Sequence, residues 1–341
     1  MDANGLSMLL AAVEGRMADV SIFSPASPQA GWIVDLAILA LAIIGIIFLV
    51  VEGILFYSVW RFRRAKNDAP GEPAQVYGSE PIEIAWTAAP TMIVFFLVLV
   101  TTRTLWQVEA APVQPREGDQ ALFVTVIGHQ WWWEYRYDSY DGRKLDFITA
   151  NELHMPVGDG ETQRPVHLTL QSGDVCHSFW VPRLGGKVDL IPGRSNLLAF
   201  ETEQPGLYLG QCAEYCGAQH ANMMLRVVAE TPAEFEAWLA NETAPAVEDP
   251  AVAEGKATFL ANSCVNCHRV SGTAAQGDGA PDLTHLMSRE TIAAGQVPNS
   301  RSNLRKWVHD PHTIKPGVLM PAFGLSTEEE NQIVEYLRTL K

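Results

Sequence analysis

The sulfur and nitrogen ligands between Cys212 and Met223 form the most informative pattern in this chain. Cys212 and Cys216 lie four residues apart, His220 follows four residues later and Met223 three residues after that. Thiolate, imidazole and thioether ligands together suit copper better than magnesium, calcium or iron. His177, from a different predicted strand, would add a second imidazole. The pattern therefore predicts a copper site.

The number of cysteines indicates which kind of copper site this would be. A mononuclear blue-copper centre uses one thiolate, two imidazoles and a weak axial thioether, whereas two thiolates can bridge two copper ions. Each copper would then have one histidine. Met223 would be a weak ligand of one copper, and the backbone carbonyl of Glu214, inside the cysteine loop, a ligand of the other. A bridged pair shares one electron between its metals, so the predicted role is electron transfer.

Two other interpretations of the cysteine pair stay open at this point. A disulfide between Cys212 and Cys216 would be ordinary in an oxidising compartment, but it gives no role to His220, Met223 or Glu214. Zinc also binds two cysteines with two histidines. That interpretation leaves Met223 without a function.

A second motif, Cys264-Val-Asn-Cys267-His268, has the order that is typical of covalent haem attachment. The two sulfurs would bond to the porphyrin, and His268 would be the proximal ligand of the iron. Taken alone, the motif also fits a thioredoxin-like or zinc-binding pair. The segment Asp249–Lys341 favours the haem, because it has the size of a small cytochrome c and ends in a helix that opens with the capping box Ser326-Thr-Glu-Glu329.

The other axial ligand of the iron should be a methionine downstream of this motif. Met320, in the proline-flanked loop Pro-Gly-Val-Leu-Met-Pro, is the best candidate. Met287 lies in an apparently helical stretch and is interpreted as core packing. His309 and His312 are rival ligands but are predicted to be surface residues. A histidine–methionine pair would raise the haem potential toward that of an electron donor to copper.

The rest of the chain predicts a membrane anchor and a sandwich that carry these motifs. At 341 residues the chain is long enough for two or three domains. Two apolar segments, at about 32–60 and 83–104, can each cross a hydrocarbon core of roughly 30 Å as a helix. The basic loop Arg61–Lys66 between them predicts a cytoplasmic turn, with both chain ends outside.

Short alternating runs, separated by Gly, Pro and Asp, predict an antiparallel β-sandwich after the anchor. A polar linker and the haem domain would follow it. The predicted order is N-terminal extracytoplasmic segment, transmembrane hairpin, copper-binding sandwich, linker and haem domain, at residues 1–30, 31–106, 107–240, 241–249 and 250–341.

With these motifs, the chain resembles subunit II of the haem-copper cytochrome c oxidases, in the caa-type form that carries a fused C-terminal cytochrome c. The resemblance covers nearly everything after about residue 25. Gly128–Glu134 matches the family's aromatic stretch, in which Trp131 has the place of the tryptophan that takes in or relays electrons. The residues that match the family's binuclear CuA pattern are His177, Cys212, Glu214, Cys216, His220 and Met223.

The resemblance implies a multidomain membrane protein. Its parts would be a two-helix transmembrane hairpin, an antiparallel β-sandwich of cupredoxin type and a small all-α cytochrome c domain. It also implies that electrons pass from cytochrome c, or another donor, through haem c on Cys264, Cys267, His268 and Met320 and then through CuA to subunit I. There a proton-pumping oxidase reduces dioxygen to water. The implied location is the bacterial inner membrane, among lipid and subunits I and III.

Competing functions are a CuA-bearing subunit of a nitric oxide reductase and a non-enzymatic periplasmic copper-binding protein. A quinol oxidase subunit II lacks the copper ligands that are present here. Nothing in the sequence points to nucleic acid. The net charge of −15 fits a surface that steers a basic cytochrome, and it also fits ordinary solubility.

Two further matches concern the contact with subunit I. Glu83 would lie at the entrance of a proton path, although an acidic residue at a helix start is also favoured by the helix dipole alone. Lys187–Arg194 resembles the strand that faces subunit I, where the Glu214 side chain would reach a magnesium ion and Asp189 is either a neighbour or a turn residue. The chain departs from the family pattern at Cys176, which is expected to be buried, inert and directed away from the copper.

Overall fold

The computed structural model describes residues 21–63, 75, 77–109, 119–247 and 249–341. These residues form two compact units, one made of residues 31–110 and the other of the remaining parts of the chain. The predicted N-terminal segment 1–30 and the basic loop Arg61–Lys66 lie partly outside the described residues.

The unit of residues 31–110 contains two long apolar helices. Helix α1 spans Pro28–Arg61 and helix α2 spans Glu80–Glu109, which are 34 and 30 residues. Each is long and apolar enough to cross a membrane. Their side chains are mostly exposed within the chain itself, as expected of surfaces that face lipid or another subunit. The prediction of two apolar helices is confirmed, and both helices extend a few residues beyond the predicted ranges.

The described residues 119–247 contain a β-sandwich of two five-stranded sheets, which confirms the predicted sandwich. One sheet has the order β3-β2-β1-β5-β8 and the other β4-β10-β9-β6-β7. The strands are β1 Leu122–His129, β2 Trp132–Tyr140, β3 Arg143–Ala150, β4 Glu152–Pro156, β5 Val166–Ser172, β6 His177–Trp180, β7 Val188–Leu190, β8 Asn196–Phe200, β9 Gly206–Cys212 and β10 Met224–Glu230.

The two sheets are mixed. Strand β1 pairs in parallel with β5, and β4 pairs in parallel with β10, whereas the other strand pairs are antiparallel. The sequence analysis predicted an entirely antiparallel sandwich, and these two parallel pairs show that this part of the prediction was wrong. Alternating runs in a sequence identify strands and their buried faces, but they do not specify the direction in which distant strands pair.

The sandwich core is aromatic along β2. Trp133, Tyr135 and Tyr137 are buried because alternate residues of a strand point to the same face. Trp133 packs edge-on against Phe179 of β6, with ring centroids 5.7 Å apart. Burying each such side chain contributes about 1.5–3 kcal/mol. This packing fixes β2 and β6 beside each other.

Four shorter helices follow the sandwich: α3 Pro232–Glu242, α4 Ala253–Ala261, α5 Arg301–His309 and α6 Thr327–Leu337. A ladder of two short strands, β11 Thr291–Ile292 and β12 Val297–Pro298, lies among them. The capping box predicted at Ser326 and Glu329 is present at the start of α6. Helices α4 and α6 pack so closely at Gly255 that a Cβ atom there would lie 2.1 Å from the Gln332 carbonyl oxygen.

The C-terminal helical domain packs directly on the sandwich. The buried carboxylate of Glu152, in β4, accepts hydrogen bonds from the backbone N–H of Glu290 and Thr291, both at 3.0 Å, and from the Thr291 hydroxyl at 2.6 Å. Arg226 of β10 contacts both Glu152 and Glu290. A buried carboxylate without such partners would be strongly destabilising, so this contact favours one fixed arrangement of the two domains.

The predicted linker lies against the helical domain. Residues 241 and 242 belong to α3. His285 contacts the Ala244 carbonyl oxygen at 2.9 Å through Nε2, and the N–H of Ala246 donates to the Ser271 carbonyl oxygen at 3.3 Å. The described part of this segment therefore has fixed partners in the domain that follows it.

Candidate copper and haem sites

Strand pairing brings the predicted copper ligands together. Strand β6 pairs with β9, with Phe179 opposite Cys212, so that His177 and Cys212 come from neighbouring strands. The loop after β9 carries Cys216 and then a short 3-10 turn, His220–Asn222, which ends directly before Met223. All three segments meet at one end of the same sheet.

The six donor atoms named in the sequence converge around the two sulfurs. Cys212 Sγ is 3.8 Å from Cys216 Sγ, 3.9 Å from Nδ1 of His177 and 3.2 Å from the carbonyl oxygen of Glu214. Cys216 Sγ is 3.6 Å from Nδ1 of His220 and 3.8 Å from Sδ of Met223. Among the described residues, His177, Cys212 and Cys216 form the one compact group of three His, Cys or carboxylate ligands.

The cysteine pair is buried and unbonded. Its sulfurs are 3.8 Å apart, against about 2.05 Å in a disulfide, and both cysteines are free. The contact between the two sulfurs lowers the pKa of the Cys212 thiol and raises the pKa of the Cys216 thiol. A lowered pKa at Cys212 favours the thiolate form that metal binding requires.

Asp174 orients one of the two imidazoles. Its carboxylate contacts Nε2 of the fully buried His177 at 2.8 Å and accepts hydrogen bonds at 2.6 Å from the backbone N–H of Val175 and of Gln130. Burial would raise the pKa of Asp174, but these hydrogen bonds outweigh it and hold that pKa below its ordinary value. A carboxylate on one ring nitrogen leaves the other, Nδ1, available to a metal.

The sequence analysis assigned no role to Asp174. Its position three residues before His177 could have indicated that its carboxylate orients this imidazole. We expect Asp174→Ala to lower the affinity for copper by about 10- to 100-fold, the usual cost of losing a partner that orients a ligand. Copper retention against a chelator measures this. Asp146→Ala, which removes an exposed carboxylate of β3, is the control, and equal affinity in the two variants would contradict the prediction.

Trp131 connects this site with the helical domain. Its indole Nε1 donates to the carbonyl oxygen of Cys216 at 2.9 Å, and the Gln130 amide donates to the same oxygen at 2.8 Å. Only 7 % of Trp131 is exposed. Gly217 permits the close approach, because a Cβ atom there would lie 3.1 Å from the indole. The tryptophan predicted to handle electrons is therefore in contact with the cysteine loop.

A cavity of about 240 Å³ adjoins Trp131 and contains the second motif. Cys264, Cys267, His268 and Met320 all line it, and apolar side chains from the helices make up much of its wall. Among the described residues that line the cavity, Met320 is the only methionine. The structure thus brings together the four residues named in the sequence for a haem.

Two polar groups of the cavity are arranged for a haem. Nδ1 of His268 lies 2.7 Å from the Pro281 carbonyl oxygen, which leaves Nε2 available to iron. Burial lowers the pKa of His268, which favours the neutral imidazole that a metal ligand must be. The guanidinium of Arg289 is buried in the wall and its Nε has no hydrogen-bond partner in the described chain. A haem carboxylate would provide a hydrogen-bond acceptor for this Nε.

The rival axial ligands are engaged elsewhere. Met287 packs against the core of the helical domain. His309 is exposed and its Nδ1 lies 2.5 Å from Glu330, while the Gly317 N–H donates to Nδ1 of His312 at 3.2 Å. None of the three lines the cavity.

The remaining predicted residues lie outside these two sites. Glu83 is in the first turn of α2, where its carboxylate accepts from the Ser79 N–H at 3.3 Å. The half-exposed Glu214 carboxylate is 3.8 Å from Nζ of Lys187, and Asp189 lies in β7, which includes residues 188–190.

Cys176 requires a correction, because it is exposed and not buried. It directly precedes His177, whose side chain is buried at the start of β6, and neighbouring residues of an extended chain point to opposite sides. Burial of the histidine thus places the cysteine outside.

Three family profiles match the chain. Residues 16–103 match "Cytochrome C oxidase subunit II, transmembrane domain", residues 122–230 match "Cytochrome C oxidase subunit II, periplasmic domain", and residues 252–341 match "Cytochrome c". The three matches follow the order of the anchor, the sandwich and the helical domain.

Curated relatives extend over nearly the whole chain. A protein named cytochrome c oxidase subunit 2 from Alkalihalophilus pseudofirmus is 35% identical over 95% of this chain and 91% of its own length. One of the same name from Bacillus subtilis is 33% identical over 94% of this chain and 92% of its own length. The solved periplasmic domain of subunit II from Bradyrhizobium japonicum is 29% identical over 36% of this chain and 92% of that structure, with a TM-score of 0.32.

Proposed function

Because the chain belongs to the cytochrome c oxidase subunit 2 family, and is thus a subunit of a haem-copper oxidoreductase, we propose that it is the subunit through which electrons reach the oxygen-reducing centre. Electrons would pass from cytochrome c, or another donor, through the chain's own haem c and a binuclear copper centre to subunit I. The observation that carries this proposal is the convergence of two free thiols, two imidazoles, a thioether and a carbonyl oxygen beside a cavity that holds a haem-attachment motif.

The donor set fits a pair of copper ions better than zinc. Cys212 and Cys216 supply the two thiolates, His177 and His220 the imidazoles, and Met223 the thioether. The carbonyl oxygen of Glu214 completes the set. A soft thioether within 3.8 Å of a cysteine sulfur favours copper. When bound, the copper pair would take up and release one electron at a time. The buried sulfurs keep water out of the site.

The cavity residues fit a covalently attached haem. Cys264 and Cys267 would bond to the porphyrin, and His268 and Met320 would hold the iron. When bound, the haem would carry one electron. The hydrogen bond between His268 and Pro281 fixes the orientation of the proximal imidazole, and the apolar wall excludes water. Arg289 would neutralise a haem carboxylate.

Trp131 is proposed to relay electrons between the two sites. It lines the haem cavity and contacts the Cys216 carbonyl oxygen, so a single side chain borders both sites. Because it is covered by the helical domain, it is better placed for transfer from the fused haem than for direct transfer from a soluble donor.

The two apolar helices and the match to a subunit II transmembrane domain indicate a membrane-anchored protein. We further propose that the membrane is the bacterial inner membrane, with both chain ends on the periplasmic side and subunits I and III beside the anchor. Glu83 would lie at the entrance of a proton path in subunit I. The Glu214 side chain would reach a magnesium ion at that interface. The exposed Glu83 and the half-exposed Glu214 carboxylate support this assignment.

Dioxygen uptake by the detergent-purified complex tests the function. We expect a complex isolated through a tag on this chain to consume dioxygen rapidly when reduced cytochrome c is supplied. Consumption of nitric oxide without dioxygen uptake would instead make the complex a reductase. Rapid loss of copper to a chelator, with neither activity, would indicate a copper-binding protein.

A further inference from the structure

Lys315 is a buried lysine with no role in the function proposed so far. Only 1 % of it is exposed. It follows a short 3-10 turn, Pro311–Thr313, and lies five residues before Met320 in the same loop. Lysine is almost never fully buried without partners, because its polar head loses its hydration. The partners of its amino group are therefore informative.

Both partners are backbone carbonyl oxygens at the junction of the two domains. Nζ donates to the Trp131 carbonyl oxygen at 2.6 Å and to that of Ala293 at 3.4 Å. Ala293 follows β11 in the helical domain, and Trp131 belongs to the sandwich. Lys315 thus joins the loop of the proposed haem ligand to the tryptophan of the copper domain.

The connection continues to the copper loop. The Trp131 indole donates to the Cys216 carbonyl oxygen at 2.9 Å, and both Lys315 and Trp131 line the haem cavity. The backbone carbonyl of Trp131 is thus held by Lys315 while its indole is held by Cys216. With both groups anchored, the ring has little freedom to turn.

We propose that Lys315 is a positioning residue for electron transfer between the haem site and the copper site, because it holds Trp131 in contact with both. The inference rests on the proposed function. With both groups bound, one electron would pass from the haem, oxidising it, to the copper centre, reducing it, so the step would need no other reactant. Lys315 lines the haem cavity but is not among the proposed metal ligands, and it acts through Trp131.

The N–H donors of Lys315, and not its charge, perform this role. Burial lowers the pKa of Lys315 to about 7, and the nearby Cys216 partly opposes this shift. Both the ammonium and the neutral amine carry N–H groups that can donate to a carbonyl oxygen. The contact is therefore kept on both sides of neutral pH.

Two further contacts across the junction are made by residues other than Trp131. The Gln296 amide, three residues after Ala293 in sequence, donates to the Asn222 carbonyl oxygen at 3.2 Å. The Glu152 carboxylate binds the backbone at Thr291. These contacts dock the domains, so removing one of them separates the effect of docking from the effect on Trp131.

The test compares Lys315→Met, Lys315→Arg and Gln296→Ala in the complete oxidase. After rapid reduction of the haem, we expect Lys315→Met to slow electron arrival at copper by on the order of tenfold, since small misplacements of reacting groups have effects of that size or more. The absorption bands of both metal sites should be unchanged. Lys315→Arg, which keeps N–H donors, should recover most of the rate. Gln296→Ala should retain the wild-type rate.

Hydrogen–deuterium exchange of the full chain without copper and haem gives a second readout. Lys315→Met should accelerate exchange in the peptide 129–134, and Gln296→Ala should not. A wild-type transfer rate in Lys315→Met, equal slowing in Gln296→Ala, or failure of Lys315→Arg to recover the rate would each overturn the inference. If the wild-type chain shows no transfer from haem to copper, the proposed function itself fails, and exchange at Trp131 still reports on the contact.

Discussion

Replacing Cys216 by serine is expected to abolish electron transfer to subunit I. A hydroxyl is a poor substitute for a copper-binding thiolate, and the Cys216 sulfur lies within 3.8 Å of three other donor atoms of the proposed site, on Cys212, His220 and Met223. Loss of an outer partner alone costs about 10- to 100-fold in metal affinity, so loss of a ligand should exceed about 100-fold. Copper content and dioxygen uptake with reduced cytochrome c measure the effect.

Cys176→Ser is the matched control for this change. It removes an exposed sulfur beside His177 without altering the buried donor set, and we expect it to keep both copper and dioxygen uptake. Normal uptake by Cys216→Ser, or equal losses in the two variants, would rule out the assigned copper site as the electron path.

Replacing His268 by alanine should remove electron transfer from the donor while leaving the copper site loaded. His268 is the one histidine of the cavity wall among the described residues, and its hydrogen bond to Pro281 orients it for iron. We expect the rate of dioxygen uptake with reduced cytochrome c to fall by at least about 100-fold. Removing one of several catalytic groups that act together lowers a rate by a comparable factor. Haem absorption and copper content are measured on the same sample.

His309→Gln, at an exposed position of the same domain, controls for a general effect on this domain. If His268→Ala keeps a normal haem spectrum and His309→Gln does not, the axial assignment is reversed. If both keep normal uptake, electrons bypass the fused domain.

The proposed copper-binding residues could be grouped from the sequence because most of them lie close together in it. Cys212 ends β9, and Cys216, His220 and Met223 follow shortly after it, so their spacing alone indicates a common site. His177 required the further assumption that its strand lies beside β9, and the pairing of Phe179 with Cys212 satisfies it. The haem motif is equally local, whereas Met320 was chosen by its proline-flanked loop.

Lys315 was missed because its contacts are distant in sequence. Lys315 and Trp131 are 184 positions apart, and no periodicity connects them. The parallel pairing of β1 with β5 has the same origin, since pairing direction depends on how the chain crosses between sheets. Cys176 was expected to be buried because free cysteine usually is, but the neighbouring histidine occupies the interior.

Glu152 is buried under the helical domain, and this contact bears on how electron transfer between the two domains would depend on the concentration of the donor. Since hydrogen bonds from Glu290 and Thr291 hold the two domains together, the proposed passage of an electron between them would be unimolecular and independent of donor concentration. Ionic strength screens charges across solvent within about 8–10 Å at moderate salt. Added salt should therefore slow the encounter with a soluble donor and leave the internal step unchanged, so that the proposed haem would act as a reservoir whose discharge does not depend on ionic strength.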